Sequence, residues 1–220
     1  MMRPQTHQHA PHRSTGAGST PGHSSPALEW IWKYLSDLPS PRIMDCGPVS
    51  QATVDVLVRR GAKIHVADLI TPLLRDEAQF WDRRGKIASF RTDFFLSQLL
   101  PIAPESLTGI FAWNLFDLLP HEAHAQVAAR WFSFLRPGGL LFCIVREPRL
   151  EKGSETTWWL ENLTTLGSGR EGTKAFAYAV VTNREVERLA PGASVKTFLT
   201  RSGRREVVVV IQGDSTTGQN

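Results

Sequence analysis

Short apolar runs alternate with amphipathic helical segments along most of this chain, and this alternation restricts the fold more than any other feature. The apolar runs begin near residues 42, 63, 88, 109 and 140. Between them, apolar residues recur at the spacing of a helix that buries one face, as Ala128, Trp131 and Phe132 do. Strands separated by helices form right-handed crossovers and a parallel sheet covered on both faces. The sequence therefore predicts an α/β fold.

The end of the chain departs from this alternation. Two predicted strands, 195–201 and 206–212, are joined by only a few residues around Ser202-Gly203. So short a link requires an antiparallel hairpin. Before them, Thr182 and Glu185 have the spacing of a capping box at the start of a helix. The predicted architecture is a three-layer sandwich with a mostly parallel, seven-stranded sheet and a C-terminal antiparallel hairpin strand.

The chain of 220 residues has the length of one domain with a core of its own. Residues 1–26 are rich in Pro, Gly, Ser, Thr and His, which predicts a disordered tail. Ser25 is a candidate N-cap, and Pro26 fits the first position of a helix. We expect the folded domain to span residues 27–213 and residues 214–220 to be flexible.

Composition points to a cytoplasmic protein without a membrane span or a disulfide framework. Cys46 and Cys143 lie inside apolar runs, where small buried thiols are common. The N-terminus has no apolar stretch that a signal peptide would need. Beyond the tail, 23 basic residues face 21 acidic ones, which argues against a nucleic-acid partner. No spacing of histidines fixes a ligand geometry, so we predict no metal site.

Polar residues follow the predicted strands directly. In an open parallel sheet, ligands bind beyond the carboxyl ends of the strands, near the point where the strand order reverses. The residues at these positions are therefore the first candidates for a binding site. In chain order they are Asp45 and Gly47, then Asp68, then Asp93, and finally Asn114 and Asp117.

Five segments, in their order and spacing, resemble the class I S-adenosylmethionine-dependent methyltransferases. The resemblance covers about residues 28–212 and includes the terminal hairpin. Pro-Gly-Gly between a helix and an apolar strand is its most specific part. The segments are Met44-Asp45-Cys46-Gly47, Val66-Ala67-Asp68-Leu69, Arg91-Thr92-Asp93-Phe94, Asn114-Leu115-Phe116-Asp117-Leu118-Leu119-Pro120 and Leu135-Arg136-Pro137-Gly138-Gly139.

The resemblance implies S-adenosylmethionine as the cofactor and gives the candidate residues their roles. Asp68 would accept the two ribose hydroxyls, although nucleotide-binding dehydrogenases use an acid in the same way. Asp93 would accept a hydrogen bond from the adenine amino group, and Leu69 and Phe94 would enclose the ring. Structural roles stay open: the two acids fit helix N-termini, and the two apolar residues fit a core.

The first loop departs from the family, whose members carry Asp/Glu-x-Gly-x-Gly-x-Gly so that the backbone can approach the methionine part of the cofactor. Here Asp45 and Gly47 fit the pattern, whereas Val49 and Gln51 replace the other glycines. A β-branched residue in a left-handed conformation costs about 1–2 kcal/mol. This departure favours the alternative of a non-catalytic binding or scaffolding protein. A nucleotide-dependent oxidoreductase is a second alternative, but the loop lacks G-x-G-x-x-G.

Methyl transfer from a sulfonium requires mainly that the acceptor is positioned in line and that water is excluded. A general base is needed only when the acceptor must lose a proton. Asn114, which also belongs to the predicted cofactor site, and Asp117 are the candidates, with helix capping as the alternative for Asp117. The Asn-Pro-Pro-Tyr type motif of amino-group methyltransferases is absent, which argues against nucleic-acid amines as acceptors, and we expect a small-molecule acceptor. Residues 146–174, with Trp158-Trp159, are consistent with an apolar lid or a helix over the site, and core packing explains their apolar residues equally well.

Overall fold

The computed structural model describes residues 22–99, 101–146, 156–170, 180–200 and 204–212. The predicted tail up to residue 21 and the C-terminus from residue 213 lie outside the described residues. The helices are α1 Pro26–Tyr34, α2 Gln51–Arg59, α3 Ile70–Arg75, α4 Thr92–Leu96, α5 Leu115–Leu118, α6 His121–Phe134 and α7 Asn183–Leu189. The strands are β1 His23–Ser24, β2 Arg42–Asp45, β3 Lys63–Val66, β4 Trp81–Arg84, β5 Ile87–Phe90, β6 Leu107–Trp113, β7 Leu135–Arg146, β8 Thr156–Leu160, β9 Thr165–Arg170, β10 Ser194–Leu199 and β11 Arg204–Val210.

A six-stranded sheet forms the centre of the described fold, in the order β3-β2-β6-β7-β11-β10. The first four strands are parallel, and β11 pairs antiparallel with both β7 and β10. Every residue of β6 is buried, as in a strand covered on both faces. The predicted α/β class and the C-terminal antiparallel hairpin are confirmed.

The sequence predicts a strand of this sheet around residues 88–93, and this prediction is wrong. The segment forms β5, which pairs antiparallel with β4 in a separate two-stranded sheet. Gly85 occupies the tight turn with φ of 62°, and Ile87 to Ser89 are exposed. A strand with so little to bury gains little from the central sheet, while the turn glycine favours a local hairpin. The described sheet therefore has six strands instead of the predicted seven.

Two helices also differ from the sequence prediction. The pattern predicts one helix from Thr71 to Trp81, but α3 is followed by a 3-10 turn, Glu77–Phe80, and Trp81 begins β4. In α2 the pattern predicts a buried face of Val54, Leu57 and Val58, but the buried residues are Thr53, Val56 and Leu57, and Val58 is exposed. Helical spacing in so short a segment fits more than one face, and packing selects among them.

The predicted helix ends are confirmed where polar side chains carry the signal. Ser25 accepts a hydrogen bond from Leu28 N at 3.1 Å and caps α1, which starts at Pro26. The same hydroxyl donates to the buried Glu206 Oε2 at 2.8 Å, so the cap also ties α1 to β11. Thr182 and Glu185 form the capping box of α7. These motifs act through local bonds and are therefore readable from sequence.

The described part of residues 146–174 forms a β-hairpin instead of a helix. Strands β8 and β9 pair antiparallel, and β1, from the stretch predicted as tail, adds a third strand beside β9. Leu160 N donates to Thr53 Oγ1 at 3.0 Å, which fixes the hairpin to α2. Trp158 is buried. Residues 147–155 and 171–179 of this segment lie outside the described residues.

Both cysteines are buried and free, as predicted. Among the described residues, no helix combines the length and the apolar character that crossing a membrane would require.

Candidate functional site

The strand order reverses between β2 and β6, because the chain proceeds from β2 outward to β3 and later returns to place β6 on the other side. A ligand site of this fold lies beyond the carboxyl ends of the strands at such a reversal. Asp45 ends β2 and is followed by Gly47, while Trp113 ends β6 and is followed by Asn114. Four buried residues therefore meet at this edge of the sheet.

The side chain of Trp113 bridges the two strand ends. Its indole Nε1 donates to Asp45 Oδ1 at 2.6 Å, and the same oxygen accepts Gly47 N at 3.0 Å. The ring makes edge contacts with Phe111 and Phe142, with centroids 5.8 and 6.0 Å away. Trp113 is 1% exposed. The indole therefore fills the space between β2 and β6 at the carboxyl edge.

Gly47 is required by this arrangement through close approach. A Cβ on Gly47 would lie 2.6 Å from both Cδ1 and Nε1 of Trp113, much closer than real contacts allow. Its φ is not in the left-handed region, so conformational freedom is not the reason for glycine here. Gly47 is a residue of the predicted cofactor loop, and in this structure it makes room for an indole.

Trp113 itself carries the unusual backbone. Its φ is 51°, one of two positive values among the described non-glycine residues. The left-handed conformation costs a residue with a Cβ about 1–2 kcal/mol. The register between β6 and β7 also shifts between Phe111 and Trp113. The strained backbone expected at Val49 thus occurs instead on the strand next to β2, at the end of β6.

The carboxyl group of Asp45 is buried and close to a second acid. Burial raises the pKa of Asp45 to about 6, against the lowering effect of its hydrogen bonds, and the charge of Asp68 raises it further. Burial also raises the pKa of the Cys46 thiol, with both acids contributing. The ends of β2 and β3 thus place two carboxyl groups within electrostatic reach of each other.

Asp68 is half-buried and caps α3, because its Oδ1 accepts Thr71 N at 2.9 Å. Within the described residues, its other carboxylate oxygen accepts no hydrogen bond. The capping role that sequence left open is therefore present, and it leaves one oxygen for a ligand. Leu69 is 2% exposed and belongs to the core cluster.

Asp93 and Phe94 lie in α4, away from the central sheet, because the expected third strand is absent from it. Asp93 is exposed and accepts a hydrogen bond from Gln126 Nε2 of α6. Phe94 is half-buried, and the Arg91 guanidinium lies 4.4 Å from its ring centroid. A shallow cleft of about 400 Å³ adjoins these residues. The structure thus does not place them on the sheet edge that carries Asp45.

Asn114 and Asp117 are both 1% exposed. Asp117 Oδ2 accepts Arg146 N at 2.8 Å, and its Oδ1 lies 3.8 Å from Arg146 Nε. Burial raises the pKa of Asp117 to about 6. Asn114 Oδ1 has no hydrogen-bond partner among the described atoms although it is buried. Asp117 therefore ties α5 to the end of β7, while Asn114 holds an unsatisfied acceptor beside Trp113.

The carboxyl edge of the sheet between Asp68, Gly47 and Trp113 is called the cofactor cleft below. Val49 is 71% exposed, so its side chain does not enter this cleft. The residue that fills the cleft is Trp113, which sequence analysis treats only as part of a strand. The signal that could have identified it is indirect: two glycines are missing from the opposite loop, while a large aromatic residue stands at the end of the neighbouring strand.

S-adenosylmethionine fits this cleft at one end only. At the ribose end, Asp68 offers a carboxylate oxygen. Asn114 Oδ1, next to Trp113, is an unsatisfied acceptor that suits the ammonium group of the methionine tail. At the methionine end, over Gly47, the space is taken by the Trp113 indole. The two hydrogen-bond acceptors suit the cofactor, but the room for its methionine tail depends on the position of the Trp113 side chain.

The sequence matches no protein-family model and no curated protein sequence. Several solved structures are similar to this chain. A 1,6-didemethyltoxoflavin-N1-methyltransferase from Burkholderia thailandensis, with 1,6-didemethyltoxoflavin and S-adenosylhomocysteine bound, is 16% identical over 86% of this chain and 77% of its own, with a TM-score of 0.47. A SAM-dependent methyltransferase from Methanosarcina mazei is 15% identical over 85% of this chain and 97% of its own. One from Aquifex aeolicus is 13% identical over 84% of this chain and 89% of its own. Both have a TM-score of 0.44.

Proposed function

We propose that this chain binds S-adenosylmethionine at the carboxyl edge of the central sheet and transfers its methyl group to a small-molecule acceptor. The observation that carries the proposal is Asp68. It lies two residues beyond the end of β3, near the strand reversal, and interacts electrostatically with Asp45 at the end of β2. One of its carboxylate oxygens is available to a ribose after the helix-capping bond is made.

The sheet order and the resembling segments support the same function. The five segments that resemble class I methyltransferases include the ends of β2, β3 and β6, and these strands are neighbours in the sheet. Bound S-adenosylmethionine would supply an activated methyl group. The protein's part is then to hold the ribose through Asp68 and to offer the acceptor oxygen of Asn114 to the donor groups of the ligand.

The role of Asp117 in this reaction is restricted by its contacts. It is bonded to the main chain of Arg146 and lies next to that guanidinium, so it already holds α5 to the end of β7. Its pKa of about 6 would leave it ionised and able to accept a proton at neutral pH. We therefore assign Asp117 primarily to positioning, with proton acceptance as a secondary role.

A second candidate function is a non-catalytic binding or scaffolding protein. The observation in its favour is that Trp113 fills the methionine end of the cleft, opposite a loop where Val49 and Gln51 replace glycines. Under this alternative, the acidic residues serve the fold alone, as Asp68 does at α3 and Asp45 does toward Trp113.

Isothermal titration of the full chain with S-adenosylmethionine and S-adenosylhomocysteine separates the two candidates. The proposal expects dissociation constants in the micromolar range for at least one of these ligands. Asp68→Asn, which can still cap α3, should weaken binding about tenfold or more, since a hydrogen bond to a charged group contributes about 1.5–3 kcal/mol.

Asp76→Asn is the matched control, because this exposed acid lies at the opposite end of the same helix and should leave the affinity unchanged. If neither compound binds at millimolar concentration, the proposal is contradicted and the non-catalytic alternative is favoured. If binding occurs and Asp68→Asn does not weaken it, the assignment of the ribose site is wrong.

A further inference from the structure

Trp113 occupies the one place in the sheet where this fold binds ligands. Strand order reverses between β2 and β6, and a ligand at the reversal rests on the loop after β2. The indole spans that gap and lies directly over Gly47. A bound molecule extending past the end of β2 would therefore have to displace this side chain.

The contacts of Trp113 hold it firmly in that place. The hydrogen bond from Nε1 to Asp45 Oδ1 is short, at 2.6 Å, and both partners are nearly inaccessible to water. Two aromatic neighbours, Phe111 and Phe142, meet the ring edge to face. This geometry is favourable for aromatic pairs. The occupied state of the cleft is thus stabilised by specific interactions with its walls.

The backbone of Trp113 opposes the same state. Its φ of 51° is in the left-handed region, which a side-chain-bearing residue adopts only when its surroundings hold it there. A rearrangement that moves the indole off Gly47 together with this backbone would release the strain and compensate for part of the lost contacts. A side chain held by strong local contacts on a strained backbone is suited to two alternative positions.

Resting on the proposed function, we infer that Trp113 is a specificity-determining gate that occupies the methionine end of the cofactor cleft. With the gate closed, the cleft accepts a nucleoside at Asp68 and excludes a ligand carrying the methionine tail. S-adenosylmethionine binds only when the indole leaves Gly47. Its apparent affinity is then reduced by the fraction of molecules in which the gate is open.

The test compares two ligands that differ in the tail, S-adenosylmethionine and adenosine, on the full chain. Trp113→Ala should tighten binding of S-adenosylmethionine about tenfold or more and change adenosine binding less than about twofold. Trp113→Phe keeps a ring but removes the donor to Asp45, and should give an intermediate gain. Trp131→Phe replaces another buried tryptophan, on α6, and should change neither affinity.

The outcomes separate the gate from the proposed function. If wild-type protein binds either ligand but Trp113→Ala has wild-type affinity for S-adenosylmethionine, the gate is refuted while the site stands. If neither ligand binds to any of these proteins, the proposed function fails, and the gate fails with it. Should Trp113→Ala not give a cooperative thermal transition, Trp113→Phe decides: an unchanged S-adenosylmethionine affinity would overturn the inference.

Discussion

Asp117 of α5 accepts a 2.8 Å hydrogen bond from the main-chain nitrogen of Arg146, the last residue of β7, while the guanidinium of the same arginine lies 3.8 Å from its other oxygen. Both side chains are at most 5% exposed. One carboxylate thus satisfies a backbone donor and faces a buried positive charge. This pair fixes the short helix after β6 to the end of the neighbouring strand.

Asp117→Ala should therefore destabilise the fold by about 1–3 kcal/mol, because the buried main-chain N–H of Arg146 loses its acceptor. Urea denaturation at neutral pH measures this difference. The control is Asp82→Ala, which removes the partner of Arg84 in an exposed ion pair and should change the unfolding free energy by no more than about 0.5 kcal/mol. If both variants lose a similar amount of unfolding free energy, the contacts of Asp117 with Arg146 stabilise the fold no more than the exposed ion pair does.

A second prediction concerns the dependence of stability on pH. The pKa of Asp45 is about 6 in the fold, against an ordinary value of 3.8. Between these values the folded chain keeps the proton that the unfolded chain has released, so stability falls as pH rises from about 4 to 6. The loss attributable to Asp45 is about 3 kcal/mol.

Asp45→Asn keeps an acceptor for the Trp113 indole and removes the charge. We expect this variant to be more stable than wild type at pH 7, with a difference that shrinks toward pH 4. Denaturant midpoints at a series of pH values measure it. Asp55→Asn, at an exposed position of α2, should leave the dependence of stability on pH as it is in wild type. If the stability of Asp45→Asn falls between pH 4 and 6 as steeply as that of wild type, Asp45 does not titrate as described.

Local signals and apolar patterns predicted most of the fold. The central strands are short, mostly apolar runs, and the starts of α1 and α7 carry capping residues whose bonds are made within a few positions. The hairpin of β10 and β11 follows from the short link between them. These features depend on neighbours in the sequence, and the sequence therefore reveals them.

The errors occur where several arrangements fit the same residues. The segment around β5 can pair with the central sheet or with β4, and only the balance of burial and turn geometry decides. The position of Trp113 depends on contacts with Asp45, 68 residues away, and on a left-handed backbone that its residue type disfavours. No local pattern encodes such a long-range contact, so the most important side chain of the cleft was not predicted.

A third prediction uses two serine caps. Ser25 caps α1 and also donates to the buried Glu206, whereas Ser50 caps α2 through Thr53 N alone, at 3.4 Å. Ser25→Ala should cost about 2 kcal/mol, because the carboxylate loses a donor together with the cap. Ser50→Ala should cost about 1 kcal/mol or less. Thermal and urea unfolding compare them, and equal losses would argue against a stabilising bond between Ser25 and Glu206.

The last prediction tests the contact between Gly47 and Trp113 directly. A methyl group at position 47 would lie 2.6 Å from the indole, so Gly47→Ala must push the ring out of the cleft or shift the loop. Such overpacking costs about 1–3 kcal/mol. When Trp113→Leu is combined with Gly47→Ala, the added methyl group meets no indole, and most of this penalty should disappear. A double-mutant cycle in urea then gives a coupling of about 1–2 kcal/mol. A coupling near zero would mean that Gly47 is glycine for a reason unrelated to Trp113, and the cleft would have to be filled differently from the arrangement described.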